Sequence, residues 1–207
     1  MKKILVISNG HGEDFSGSLL GQEFKKQGYY VDAFSMVGKG TEYKRKNIKN
    51  YGFRKEFSTG GIGYTSLIGR LTEIVQGQLI YLFKSLFRLL KLSKNYELVV
   101  VVGDVVPILA AWLMQRPSVV YLVAYSSYYE GKLRLPWPCN YFLSSQIFKA
   151  IYCRDQLSAK DLKKQLSCDV FFLGNPFMDP IFKPQKPLSK VSFRLGLLPG
   201  SRRPALD

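Results

Sequence analysis

The residues best suited to chemistry lie together near the amino terminus, in Asn9-Gly10-His11-Gly12-Glu13-Asp14. His11 is the only histidine of the chain. Imidazole titrates near neutral pH, so His11 is the natural candidate for a general base. Gly10 and Gly12 flank it and let the backbone approach a ligand closely. Glu13 and Asp14 follow where a helix start tolerates negative charge. A second candidate, Asp104, stands directly after the apolar run Leu98 to Gly103. It could orient a base, bind a sugar hydroxyl, or cap the helix that Pro107 opens. The plainer reading of the first turn is a bend that uses its glycines only to turn, with His11 in water. Both readings stand at this point.

The elements that must position these residues follow from hydrophobic patterning. Ile4 to Ile7 run into Ser8-Asn9-Gly10, and a helical pattern begins at about Phe15. That is a buried parallel strand, a tight turn and a helix start, the opening of a Rossmann-like βαβ unit. In open sheets of this kind ligands bind outside the carboxyl ends of the strands, where this turn lies. The turn is not the dinucleotide fingerprint, because Phe15 stands at the third glycine and two acids would meet the pyrophosphate. Nicotinamide and flavin chemistry are set aside on that ground.

Further strands are expected over Tyr30–Met36, Glu97–Gly103, Ser118–Ala124, Ala150–Cys153 and Asp169–Leu173. Helices are expected over Gly17–Gln27, closed by Gly28, and over about Thr65–Ser93. The fold class is α/β, a Rossmann-like parallel sheet with helices on both faces. Between these elements, Tyr43–Lys55 reads as a solvated basic excursion. Ser58 to Tyr64 reads as a glycine-rich loop suited to substrate binding. Tyr125 to Cys139 mixes aromatics with Lys132 and Arg134, able to stack on sugars or to pack down as a loop core.

Thirty Lys and Arg against 15 Asp and Glu give a net charge of +15. Such an excess favours polyanions, whether nucleic acid, anionic lipid or phosphorylated substrate. No recognition helix, RNA-recognition motif or zinc signature accompanies it, so no nucleic acid is expected. Cys139, Cys153 and Cys168 form no CxxC pair, and with one histidine they form no zinc set; no metal and no cofactor are expected. Met1-Lys2-Lys3 leads straight into a short apolar strand, too short for a signal-peptide core. A cytoplasmic location follows as an expectation.

The long helix carries Leu79, Leu82, Phe83, Leu86, Phe87 and Leu90 at helical spacing, with Lys84, Arg88 and Lys91 on another face. A basic amphipathic helix can lie on an anionic membrane surface. It can equally be a crossover helix packed on the sheet with its cations in water. From Pro180 the texture changes: Pro184 to Lys190 is linker-like, Ser192 to Leu198 reads as a strand, and Pro199-Gly200-Ser201-Arg202 as a turn. The domain expectation is therefore 1–180 as a Rossmann-like domain, 181–191 as linker, and 192–207 as the incomplete start of a second domain.

On Ser8-Asn9-Gly10-His11-Gly12-Glu13-Asp14, Arg154-Asp155, Gly174-Asn175-Pro176-Phe177-Met178-Asp179 and Leu198-Pro199-Gly200-Ser201-Arg202, the chain resembles the lipid-A-disaccharide synthase family, in particular its related proteins. These motifs span almost the whole chain. The resemblance implies the N-terminal half of a GT-B glycosyltransferase, with acceptor bound by the first domain and UDP-sugar donor by the second. It implies His11 as base, Asp104 at the cleft, and an acceptor loop shaped by Asn9, Gly10, Gly12, Glu13 and Asp14. Ser201 and Arg202 would meet the donor phosphates. The implied partners are a UDP-sugar, a lipid-linked acceptor and the anionic inner face of the cytoplasmic membrane, where the protein would sit peripherally. The alternative is a catalytically inactive, truncated membrane-surface binding module.

Overall fold

The computed structural model describes residues 2–53 and 77–179; at His11, Gln78, Leu79 and Glu130 it describes the backbone alone. The chain divides after Phe177, and the described residues belong to the first unit, Met1–Phe177, apart from Met178 and Asp179. The expected glycine-rich loop 58–64, the early part of the long helix, the linker 181–191 and the strand within 192–207 lie outside the described residues.

Among the described residues seven strands build the sheet: β1 (Lys3–Ser8), β2 (Tyr30–Ser35), β3 (Lys49–Asn50), β4 (Leu98–Val102), β5 (Ser118–Leu122), β6 (Phe148–Cys153) and β7 (Val170–Phe172). Their order is β3-β2-β1-β4-β5-β6-β7, and every neighbouring pair is parallel. The chain thus steps outward from β1 to β3, returns, and steps outward the other way from β4. That doubly wound order leaves its switch point between β1 and β4, which pair from Ile4 with Leu98 to Ser8 with Val102.

Strand residues alternate between two cores, so the strands are apolar on both faces. Leu5, Ile7, Phe34, Val99 and Val101 pack beneath three helices, α3 (Gln78–Ser93), α4 (Val105–Met114) and α6 (Cys139–Leu143). Ile4, Val6, Val31, Ala33, Val100 and Val102 face Leu20 and Phe24 of α1 (His11–Lys26) on the other side. Two shorter pieces, α5 (Ser127–Glu130) and α7 (Gln156–Lys163), follow β5 and β6; Asp155 caps α7 by accepting from the Ser158 N–H at 2.7 Å.

Three details differ from the patterning. Helix α1 begins at His11, well before the expected Gly17, because Gly10 at φ 152° turns the chain and its carbonyl accepts from the Asp14 N–H at 2.6 Å. The motif Gly-His-Gly-Glu-Asp is therefore part loop, part first turn. The end of α1 is as expected, with Gly28 in the left-handed region and its N–H on the Lys25 carbonyl at 3.0 Å.

The segment Tyr43–Lys55 is not a solvated excursion over its described part. It forms α2 (Thr41–Arg45) and the edge strand β3, anchored by a fully buried Tyr43 and by Ile48, while Lys44, Arg45 and Lys49 stay in water. Two apolar anchors suffice to hold a stretch whose cations suggest a loop.

Helix α3 meets the sheet along Tyr81, Ser85, Leu89 and Ser93, a line offset from the apolar stripe read in the sequence. Tyr81 fixes that rotation by donating from its hydroxyl to the Met36 carbonyl at 2.7 Å. The small Ser85 lets the helix approach closely. Leu82, Leu86 and Leu90 flank this line half-buried, and Phe83 and Phe87 turn outward.

Candidate functional site

The carboxyl ends of β1 and β4 bring together residues about 95 positions apart in sequence. Each strand is a short β-branched run that ends in glycine or asparagine, so each releases its next polar residue at the same edge of the sheet. From β1 come Asn9 and the first turn of α1; from β4 come Gly103 and Asp104. The Asn9 side-chain amide donates to both oxygens of Asp104, at 3.1 and 3.3 Å. The Asn9 backbone N–H donates to Glu13 Oε2 at 2.7 Å. Asn9 thus ties the two carboxyl groups into one cluster at the switch point.

Asp104 is also the N-cap of α4, its Oδ1 accepting from the Val106 N–H at 3.0 Å. Two donors thus place three hydrogen bonds on this carboxylate, the geometry of an orienting group. Burial raises its pKa above the usual carboxylate range, while the Val106 N–H and the Asn9 amide pull it back.

Glu13 occupies the third position of α1 and reaches back over the turn, a capping-box gesture shifted by one residue. It lies against the backbone of β4's end. Gly103 sits at φ 133°, and a Cβ there would collide with the Glu13 carboxyl group, so only glycine admits it. Burial, and after it the nearby Asp104 charge, pushes the Glu13 carboxyl well above its ordinary value, against the opposing Asn9 N–H. A carboxyl shifted in this direction can hold and release a proton nearer neutrality, as a general acid or base requires.

Asp14, one residue on, faces the opposite way. It is 3% exposed and accepts from Ser8 Oγ at 2.6 Å and from Ser35 Oγ at 2.8 Å. Ser8 Oγ in turn lies 2.7 Å from the Tyr43 hydroxyl. This network ties α1, α2, β1 and β2 together inside the fold. Burial raises the Asp14 pKa to about 7, against the two serine hydroxyls that favour its ionised form. Gly10 and exposed Gly12 frame the turn as expected. His11 is the first residue of α1, which sets its backbone at the switch point; its side chain lies outside the described set. Ser201 and Arg202 lie outside the described residues.

One neighbour of the cluster comes from the Tyr125–Cys139 loop, which the sequence marks only as a mix of aromatics and cations. Tyr125, just past β5, lies close enough to Asp104 and Glu13 that their charges add to burial in holding its phenol far above the ordinary value. Its signal was faint: one tyrosine among several in a loop. Among the described residues no group of side chains could hold a metal ion, and no helix is long and apolar enough to cross a membrane.

No family model matches the chain, and no curated protein matches it. Solved structures do. MurG of Acinetobacter baumannii is 20% identical, with a TM-score of 0.52 over 91% of this chain and 51% of that one. MnaA of S. aureus, solved with UDP, is 18% identical, with a TM-score of 0.56 over 89% of this chain and 48% of that one. CalG4, the calicheamicin glycosyltransferase, is 17% identical, with a TM-score of 0.54 over 84% of this chain and 53% of that one. The chain spans about half the length of the solved structures it matches. At these identities the likeness is one of fold: a Rossmann-like domain with a parallel sheet and helices on both faces.

Proposed function

We propose that this chain is the acceptor-side domain of a glycosyltransferase of the lipid-A-disaccharide synthase type. It transfers a hexosyl group from a UDP-sugar to a lipid-linked acceptor at the inner face of the cytoplasmic membrane. The observation that carries this reading is the Asn9–Glu13–Asp104 cluster at the switch point, where sheets of this order bind their ligands. A fold shared with a UDP complex and with a glycosyltransferase supports the donor class.

In this proposal the base in the first turn of α1, His11 with Glu13 beside it, takes the proton of the acceptor hydroxyl. The freed oxygen attacks the anomeric carbon as the bond from that carbon to the diphosphate breaks. UDP departs with the electron pair, and Ser201 and Arg202 meet its phosphates. Asp104 holds Asn9, and through it the turn, in place. Gly10 and Gly12 let the acceptor sugar approach the backbone, and Asp14 holds the turn from beneath.

The test uses the full-length protein with UDP-hexoses and a membrane lipid extract, read as UDP release. Lipid-dependent release is the expected result. A folded protein that retains affinity for anionic vesicles, yet neither binds nor turns over any UDP-sugar, would overturn this reading in favour of a non-catalytic surface-binding module.

A further inference from the structure

Four oxygen–oxygen contacts run in series through the interior beneath the first turn of α1. The Tyr43 hydroxyl lies 2.7 Å from Ser8 Oγ, and Ser8 Oγ lies 2.6 Å from Asp14 Oδ1. Asp14 Oδ2 lies 2.8 Å from Ser35 Oγ, which in turn lies 2.6 Å from the Val37 carbonyl oxygen. Each contact of this length needs a hydrogen between its two oxygens. The three hydroxyls supply three, while a carbonyl and an ionised carboxylate supply none. The fourth must stand on Asp14. With it the row is complete in one direction: Tyr43 donates to Ser8 and Ser8 to Asp14, then the Asp14 carboxyl donates to Ser35 and Ser35 to Val37.

Without the Asp14 proton, Ser35 has one hydrogen for two acceptors. The charged carboxylate is the stronger of them, so the Val37 carbonyl loses this donor. Val37 is 1% exposed, and a buried carbonyl stripped of its donor is relieved by moving towards water. The segment is hinged for such a movement, since Gly38 and Gly40 both hold left-handed backbone, at φ 88° and 61°. Val37 also packs against Tyr81 of α3, whose hydroxyl holds the neighbouring Met36 carbonyl. This loop leaves the carboxyl end of β2, the strand beside β1, at the same edge of the sheet as the Asn9–Glu13–Asp104 cluster.

We infer that Asp14 is a proton-operated latch: while neutral it ties the Val37 loop to the first turn of α1, and on ionisation it frees that loop at the ligand-binding edge. The latch goes beyond the transferase reading and holds whatever reaction that edge serves.

The surrounding charges set where it opens. From α2, Glu42 adds to burial in disfavouring the ionised form, and Arg45 pairs with Glu42 at 2.6 Å. Tyr43 of the same helix is fully buried, its phenol held well above the ordinary value. On α1 itself Glu13 is adjacent, with Asp104 from the end of β4 beyond it, and His11 stands three positions earlier. The serines of β1 and β2 pull the other way, and burial outweighs them to leave Asp14 at about 7. The fold thus favours the proton, so the latch is closed below that value and opens as pH rises through it.

The test is carbon-13 NMR of the full chain from about pH 5 to about pH 9, roughly two units either side of the Asp14 value. The Asp14 side-chain carboxyl and the Val37 carbonyl should shift together with one midpoint near 7. Amide order parameters of Gly38 and Lys39 should fall above it. Asp14→Asn, whose amide can donate to Ser35 and accept from Ser8, should hold the Val37 resonance at its low-pH position throughout. Ser35→Ala should make the Val37 resonance indifferent to pH while the Asp14 carboxyl still titrates. An Asp14 carboxyl already ionised at the acid end, or a Val37 carbonyl that does not follow it, overturns the latch. A Val37 transition that survives in Asp14→Asn also overturns it and assigns the titration to Glu13 or His11. Should a variant fail to fold, the paired titration in the unaltered chain decides alone.

Discussion

At the head of α1, Asn9, Glu13 and Asp14 are drawn into the protein, whereas along the outer side of α3 Phe83 and Phe87 stand in water. Both regions invert the usual partition of polar out and apolar in, and those inversions carry more information than the conforming residues. They differ in what holds them. The polar turn is over-determined: strand ends, a left-handed glycine and seven hydrogen bonds fix it. The apolar face is held from behind, by Tyr81 and Leu89, and its own aromatics add little to the fold. The first region is built for positioned chemistry; the second is a surface made available.

The largest expected effect is on the buried Asp14. Its folded pKa lies near 7, above the unfolded value of about 3.9. The protonated form is thus favoured by the fold. Its contribution is fully present below the unfolded value and is lost as pH rises towards 7. At roughly 1.4 kcal/mol per pH unit, the loss is on the order of 4 kcal/mol. Resistance to urea should therefore fall between pH 4 and pH 7, and Asp14→Asn should flatten most of that slope. The remaining slope belongs to Glu13 and Asp104, which are shifted in the same direction. An unchanged slope in the variant would mean that Asp14 is not the buried acid described here.

Next, Leu89→Ala should cost about 2–5 kcal/mol, as for a large core residue, while Phe87→Ala two residues earlier should stay within about 0.5 kcal/mol. Equal costs by denaturant titration would place both rows of α3 in the core and undo the contrast.

His11→Ala should lower turnover about a hundredfold or more, the usual worth of a general base. If Glu13 shares that task, activity rises with pH through its elevated pKa, and Glu13→Gln removes this acidic limb from the rate profile. Full activity in the His11 variant would shift the role to Glu13 entirely. The smallest effect is on membrane affinity: Phe83→Ser with Phe87→Ser should weaken sedimentation with anionic vesicles by about tenfold while leaving the unfolding midpoint in place. A fallen midpoint would show the rings to be structural.

Much of the fold was legible because strand cores announce themselves. Leu98 to Val102 could hardly be anything but a central strand, and Asp155 and Gly28 mark helix ends by local chemistry. The candidate site was legible in part: the turn, His11 and Asp104 stood out by type and by their place after strands. The division of labour between Glu13 and Asp14 did not. Two adjacent carboxylates look alike in sequence, and helix geometry alone turns one towards the β4 end and the other into the serine–tyrosine network.

Sequence by itself determined the parallel α/β class, the polar turn after β1 and the excess of positive charge, since each depends on residue type and on spacing over a few positions. Tertiary structure alone decided the rest. Pairing of β1 with β4 joined Asn9 to Asp104, because strand order is set by packing of whole layers and not by local pattern. Burial of Tyr43 turned a basic stretch into an edge strand. The rotation of α3, set by one tyrosine hydroxyl reaching a distant carbonyl, chose which of two apolar rows meets the sheet and which faces water.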